Sequence, residues 1–119
     1  MLINLGTNDD SYLKLDYENR SSEFISGYVD FLKVVREKNP NAKIICTMGL
    51  MGGYDTFNYI QQAILEYTSQ TNDSNISSFR LTIQDYLNNG LGADWHPSAK
   101  SQELCSDEVV KNIQEIMKR

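Results

Sequence analysis

The sequence predicts an α/β fold built on a parallel sheet, and three observations predict it. Short β-branched apolar runs alternate with longer segments whose apolar residues recur at helical spacing. Runs of Gly, Asn, Asp and Ser separate the two kinds of segment. No internal repeat or low-complexity tract interrupts the alternation over the 119 residues, which suffice for one small domain with one modest core, residues 1–119.

Taken in order, Met1 to Leu5 reads as a first strand, and Gly6, Thr7, Asn8, Asp9 and Asp10 as a turn-rich loop after it. Ser21 and Ser22 offer an N-cap to a helix whose inward face carries Phe24, Tyr28, Phe31, Leu32 and Val35 and which ends near Asn39-Pro40. Lys43 to Met48, with Ile44-Ile45-Cys46 at its centre, reads as a buried strand followed by a loop at Gly49, Gly52 and Gly53. A helix from about Asp55 to Ser69 turns Phe57, Ile60, Ile64 and Tyr67 inward and closes at Asn72 to Asn75. Ile76 to Ile83 reads as a third strand. A last helix follows Pro97 with Leu104, Val109, Val110, Ile113, Ile116 and Met117 as its stripe, and Ser106-Asp107-Glu108 offers a place for it to restart.

Composition narrows the function classes. A formal net charge of −5 disfavours nucleic acid and anionic membrane as partners, because an acidic surface gains nothing from counterion release or headgroup attraction. The apolar runs fall far short of the roughly 20 residues of a membrane helix. Cys46 and Cys105 lack any metal or redox spacing, and no metal or organic cofactor is expected.

Two segments carry the candidate chemistry. Asn4-Leu5-Gly6-Thr7-Asn8-Asp9 follows the first strand, and in an open parallel sheet ligands bind beyond the carboxyl ends of the strands. Gly92-Ala93-Asp94-Trp95-His96-Pro97 precedes the last helix and holds the single histidine, a side chain able to act as a general base near neutral pH. A lone histidine is more often a surface or packing residue than a catalyst. Its place between Trp95 and Pro97, at the entry to a helix, favours a directed role.

Gly6-x-Asn8-Asp9 after an apolar strand, with His96-Pro97 before the terminal helix, resembles the third and fifth sequence blocks of the SGNH (GDSL-like) hydrolase superfamily. The fuller wording is most similar to its acetyl-esterase branch, the second carbohydrate esterase family. The resemblance implies a truncated flavodoxin-like three-layer fold with about three strands and three helices, corresponding to the C-terminal part of such a domain. It implies a carboxyl-ester hydrolase acting on carbohydrate O-acetyl groups, with saccharide or other small esters as substrates.

On matching positions, the resemblance gives Asn8 as the amide donor to an oxyanion and His96 as the base that activates a serine. Gly6 keeps the first loop tight, since a side chain there would crowd the site. The superfamily places its histidine-orienting acid three residues before the histidine, where this chain has Ala93. Either Asp94, two before, or a backbone carbonyl orients His96. Trp95 is either a plug beneath the loop or an exposed platform for a sugar ring.

The superfamily's serine block would precede the first strand. Ser98 and Ser11 read as cap or turn residues, so the chain by itself is expected to be inactive. Competing readings are a non-catalytic fragment that binds saccharide or protein through Trp95 and Tyr54, and a nucleotide-binding domain using Gly49-Leu50-Met51-Gly52-Gly53. The second lacks the spacing that cradles phosphates. The compartment is not legible; a signal peptide ahead of Met1 would make the protein secreted or surface-bound. Residues 2–5, apolar on both faces and without a blunting Lys or Pro, are expected to pair with a second copy as a homodimer.

Overall fold

The computed structural model describes residues 1–118. Three parallel strands, β1 (Leu2–Asn4), β2 (Ile44–Leu50) and β3 (Ile76–Ile83), form one sheet in the order β1-β2-β3. Three long helices connect or follow them: α2 (Tyr17–Lys38), α3 (Tyr54–Thr71) and α5 (Ala99–Met117). Two short ones, α1 (Thr7–Leu13) and α4 (Tyr86–Asn89), add to the three expected. The α/β class and the parallel sheet agree with the sequence reading, and β3 has the expected bounds.

The central strand is buried along nearly its whole length, as a strand of three apolar residues in a row requires. Ile3, Ile44, Cys46 and Met48 face α2 and α3 and form one core with Tyr28, Val29, Leu32 and Val35 of α2 and Phe57, Ile60, Ala63 and Tyr67 of α3. Side chains alternate across a strand, so Ile45 and Thr47 are buried on the other face. α5 packs against β3, and the Glu108 carboxylate accepts from the Thr82 backbone N–H at 3.1 Å. No helix among the described residues is long and apolar enough to cross a membrane.

Three local expectations are corrected. Gly6 to Asp10 does not form a loop: Thr7 onward is helical, with Asp9 and Asp10 in the first turn, where carboxylates complement the helix dipole. Asp16, not Ser21 or Ser22, caps α2, because its carboxylate accepts from the Asn19 backbone N–H at 3.3 Å and from the Asn19 amide at 2.8 Å. α5 does not restart at Ser106, whose hydroxyl donates to the Glu103 carbonyl within a continuous helix.

The amino edge of the sheet is locked by one side chain. Arg36, near the end of α2, donates to Asp73 at 2.7 Å and to the carbonyls of Asn39, Ala42 and Asn75, while Tyr67 donates to Asp73 at 2.6 Å. Burial pushes the Asp73 carboxyl up, but the hydrogen bonds from Tyr67 and Arg36 outweigh it and hold the group below its ordinary value. The folded-state value therefore lies below the unfolded one. The stabilisation is complete above about pH 4 and is lost as pH falls through the folded value. Asp73→Asn is expected to cost about 1–3 kcal/mol at neutral pH and to shrink the further loss on acidification. Urea melts at two pH values check it; equal acid losses in the two proteins would contradict it.

Candidate active site

With the amino edge tied down, the polar segments gather at the carboxyl edge. β1 ends at Asn4, and the chain turns at Gly6 directly into α1, whose first turn carries Asn8. Gly6 has φ +129°, a conformation that side chains disfavour. A Cβ there would lie 3.1 Å from the Met48 sulfur and 3.4 Å from both Ile60 and Thr56. The expected reason for this glycine is thereby corrected: a side chain would crowd the core beneath α1 instead of the site above it.

α1 is pinned from below by Asp10, a buried carboxylate. One oxygen accepts from the buried Thr56 hydroxyl of α3 at 2.7 Å, and the other pairs with Lys14 at 2.7 Å. The helix is thus fixed against α3, and Asn8 is carried on its outer side. The Asn8 side chain is exposed and makes no hydrogen bond to the protein among the described residues, so its amide is not spent on the local turn. Beside it, Leu5, Gly6, Asp9, Tyr12, Phe24 and Phe31 help to line a groove of about 320 Å³ next to the open edge of β1.

His96 lies beyond β3. The chain passes through α4 and a 3-10 turn at Ala93–Trp95, and Gln84, the first residue after β3, donates through its side-chain amide to the Trp95 carbonyl at 3.2 Å. Since all three strands are parallel, the Asn8 turn and the His96 loop occupy the same edge of the sheet. The Asn8 turn follows β1 and the Gln84 contact ties the His96 loop to the end of β3, on either side of β2 in the sheet order.

The imidazole is oriented by backbone. His96 Nδ1 lies 2.9 Å from the Ala93 carbonyl oxygen, which also accepts from the His96 backbone N–H at 2.9 Å. A carbonyl can only accept, so Nδ1 carries a proton and, in the neutral ring, Nε2 is the nitrogen with the free lone pair. Asp94 is exposed and makes no hydrogen bond to His96. Of the two orienting groups considered, the backbone carbonyl occupies the position. Trp95 is 72% exposed and so is not a plug beneath the loop.

The other candidate nucleophiles are engaged or inert. Ser98 donates to the Asn89 carbonyl at 2.7 Å and caps α5 by accepting from the Ser101 N–H at 3.1 Å. Burial pushes the Cys46 thiol up; partial burial, with Glu108 nearby, does the same to Cys105. Sequence reasoning missed Asp10, Thr56 and Gln84, which act through long-range hydrogen bonds that no local pattern announces. It also missed Arg80, whose guanidinium carbon stacks 3.4 Å above the Tyr54 ring at the start of α3.

Comparison with known proteins agrees with the motifs. No protein-family model matches the chain. The cellulase/esterase CelE of Acetivibrio thermocellus is 28% identical over 116 residues, which span 95% of this chain and 14% of that protein. The acetyl xylan esterase Est2A of Butyrivibrio proteoclasticus superposes with a TM-score of 0.85 at 26% identity, over 98% of this chain and 37% of its own. A family-two carbohydrate esterase from Clostridium thermocellum, in complex with cellohexaose, gives a TM-score of 0.76 at 26% identity, over 96% of this chain and 34% of its own. Nearly the whole of this chain is similar to about a third of the length of each of these solved esterases, members of the branch to which its asparagine and histidine segments point, and it fits the C-terminal portion of such a domain.

Proposed function

We propose that this chain carries the histidine and asparagine of a carbohydrate O-acetyl esterase site, completed by a serine outside these 119 residues. The observation that carries the reading is the Nδ1 contact of His96 with the Ala93 carbonyl, which leaves Nε2 free to accept a proton. In the reaction, His96 Nε2 takes the proton of the serine hydroxyl as its oxygen attacks the acetyl carbonyl. The Asn8 amide donates to the oxyanion that forms. The sugar oxygen departs with the proton held by His96, leaving an acetyl ester on the serine. Water, deprotonated by His96, attacks that ester; the bond to the serine oxygen breaks, that oxygen takes the proton back from His96, and acetate is released. Trp95 offers an exposed indole to a sugar ring beside this path, and Gly6 shapes the turn that presents Asn8. Asp94 takes no proton in this scheme.

A graft tests it. Replacing the matching segment of the acetyl xylan esterase Est2A with this chain is expected to retain acetate release from acetylated xylan. His96→Ala is expected to reduce turnover about a million-fold and Asn8→Ala about 100- to 1,000-fold. A folded graft that keeps its rate without His96 sinks the proposal. A folded graft that binds saccharide but never hydrolyses favours the second reading, a binding fragment presenting Trp95 and Tyr54, both more than half exposed. We also propose that the open edge of β1 pairs with a second copy of the chain.

A further inference from the structure

We infer that Gln84 is a positioning residue for His96: its side-chain amide holds the Asp94-Trp95 pair in a left-handed conformation and so keeps the Ala93 carbonyl against the imidazole. The inference rests on the esterase reading for its purpose, but its geometry stands apart from that reading. Asp94 has φ +49° and Trp95 φ +63°, two successive non-glycine residues in a region that their Cβ atoms disfavour. Such a pair persists only when surrounding contacts over-determine it. The ends of the loop are closed by its own backbone, through Gly92 N–H to His96 carbonyl at 2.8 Å and a bridge between Leu91 and Pro97. The side-chain bond that ties the centre of the loop to the sheet is the one from Gln84 Nε2 to the Trp95 carbonyl at 3.2 Å.

Gln84 is itself fixed. Its backbone N–H donates to the Leu50 carbonyl at 2.7 Å, joining the ends of β2 and β3. The Trp95 carbonyl is an acceptor, so the amide nitrogen must face it and Oε1 must turn inward. There Oε1 is buried and unpartnered among the described residues. An inward oxygen without a partner is a cost the molecule bears to aim the donor outward.

The consequence is chemical. If the pair relaxes out of the left-handed region, the Ala93 carbonyl swings away and Nδ1 loses its acceptor. An unconstrained neutral imidazole then favours the proton on Nε2, the nitrogen that must be free to act as a base. Gln84 thus selects a tautomer from a distance, without touching the ring.

One histidine and one tryptophan make the test clean. In long-range proton–nitrogen spectra of the intact chain above the titration range of histidine, His96 is expected to be mainly Nδ1-protonated, and the Gln84 amide should show a cross-relaxation signal to Trp95. Gln84→Met removes the donor, and Gln84→Glu sets a carboxylate against the carbonyl. In each, the tautomer ratio is expected to move toward Nε2–H by about three- to tenfold, the equivalent of one hydrogen bond. Trp95 fluorescence anisotropy should fall with it, while β2 and β3 amide shifts stay in place. An unchanged ratio in a folded variant overturns the inference, as does the lack of the Gln84–Trp95 signal in the unmodified chain if neither variant folds. An inactive graft with a locked His96 tautomer would sink the esterase reading and leave this inference intact.

Discussion

Incubated with p-nitrophenyl acetate, the purified 119-residue chain is expected to show essentially no serine-type hydrolysis. Loss of a catalytic serine alone lowers turnover by about a million-fold, leaving whatever oriented donors can still provide. The structure weighs against the substitutes nearest to the two site segments and against both thiols. Ser98 is committed to the α5 cap and the Asn89 carbonyl. Ser11 is exposed on α1 and makes no hydrogen bond to His96. Both thiols are held protonated by burial, so neither replaces an alkoxide. What remains is an imidazole with a free Nε2 acting on water or directly on an activated ester. The measurement compares the chain with His96→Ala; a rapid rate abolished by that change would show that a nucleophile in this chain is at work.

In size-exclusion chromatography with light scattering, the chain is expected to elute at about twice its 13.6 kDa mass at micromolar concentration. The two edges of the sheet differ. At β3, the Thr82 N–H is capped by the Glu108 carboxylate. At β1 no side chain among the described residues caps the outer edge, and Leu2 and Leu5 are 42% and 51% exposed. A two-fold pairing of β1 with its copy is antiparallel and closed, whereas a parallel continuation would propagate. Three residues of strand provide few hydrogen bonds, so an interface of about 1,200 Å² or more must also draw on the neighbouring groove, where Tyr12 and Phe31 are partly bare. The substitution matters. Ile3 is only 6% exposed and belongs to the core, so Ile3→Lys would test folding. Leu2→Lys places the charge on the open face and is expected to yield a folded 13.6 kDa monomer. A well-folded wild-type monomer at micromolar concentration would refute the pairing.

The sequence by itself determined the class of the fold and the addresses of the site. Three adjacent apolar residues at Ile44-Ile45-Cys46 need burial on both sides, and only a central parallel strand supplies it in a chain whose other segments have helical period. The same alternation put the Asn8 and His96 segments after strands, hence at one edge. These inferences depend on neighbours in sequence, which is why they were legible.

Tertiary structure decided how the polar groups are paired. Asp10 reads as a turn former, yet it is buried because Thr56, 46 positions away, offers a hydroxyl beneath α1. Gly6 reads as open loop, yet its missing Cβ makes room for Met48 and Ile60. Asp94 and the Ala93 carbonyl were equal candidates until the left-handed turn brought the carbonyl, and not the carboxylate, to Nδ1. A side chain's period follows from its own helix or strand, whereas a hydrogen-bond partner is whatever the packed chain brings within about 3 Å, and only the assembled molecule fixes that.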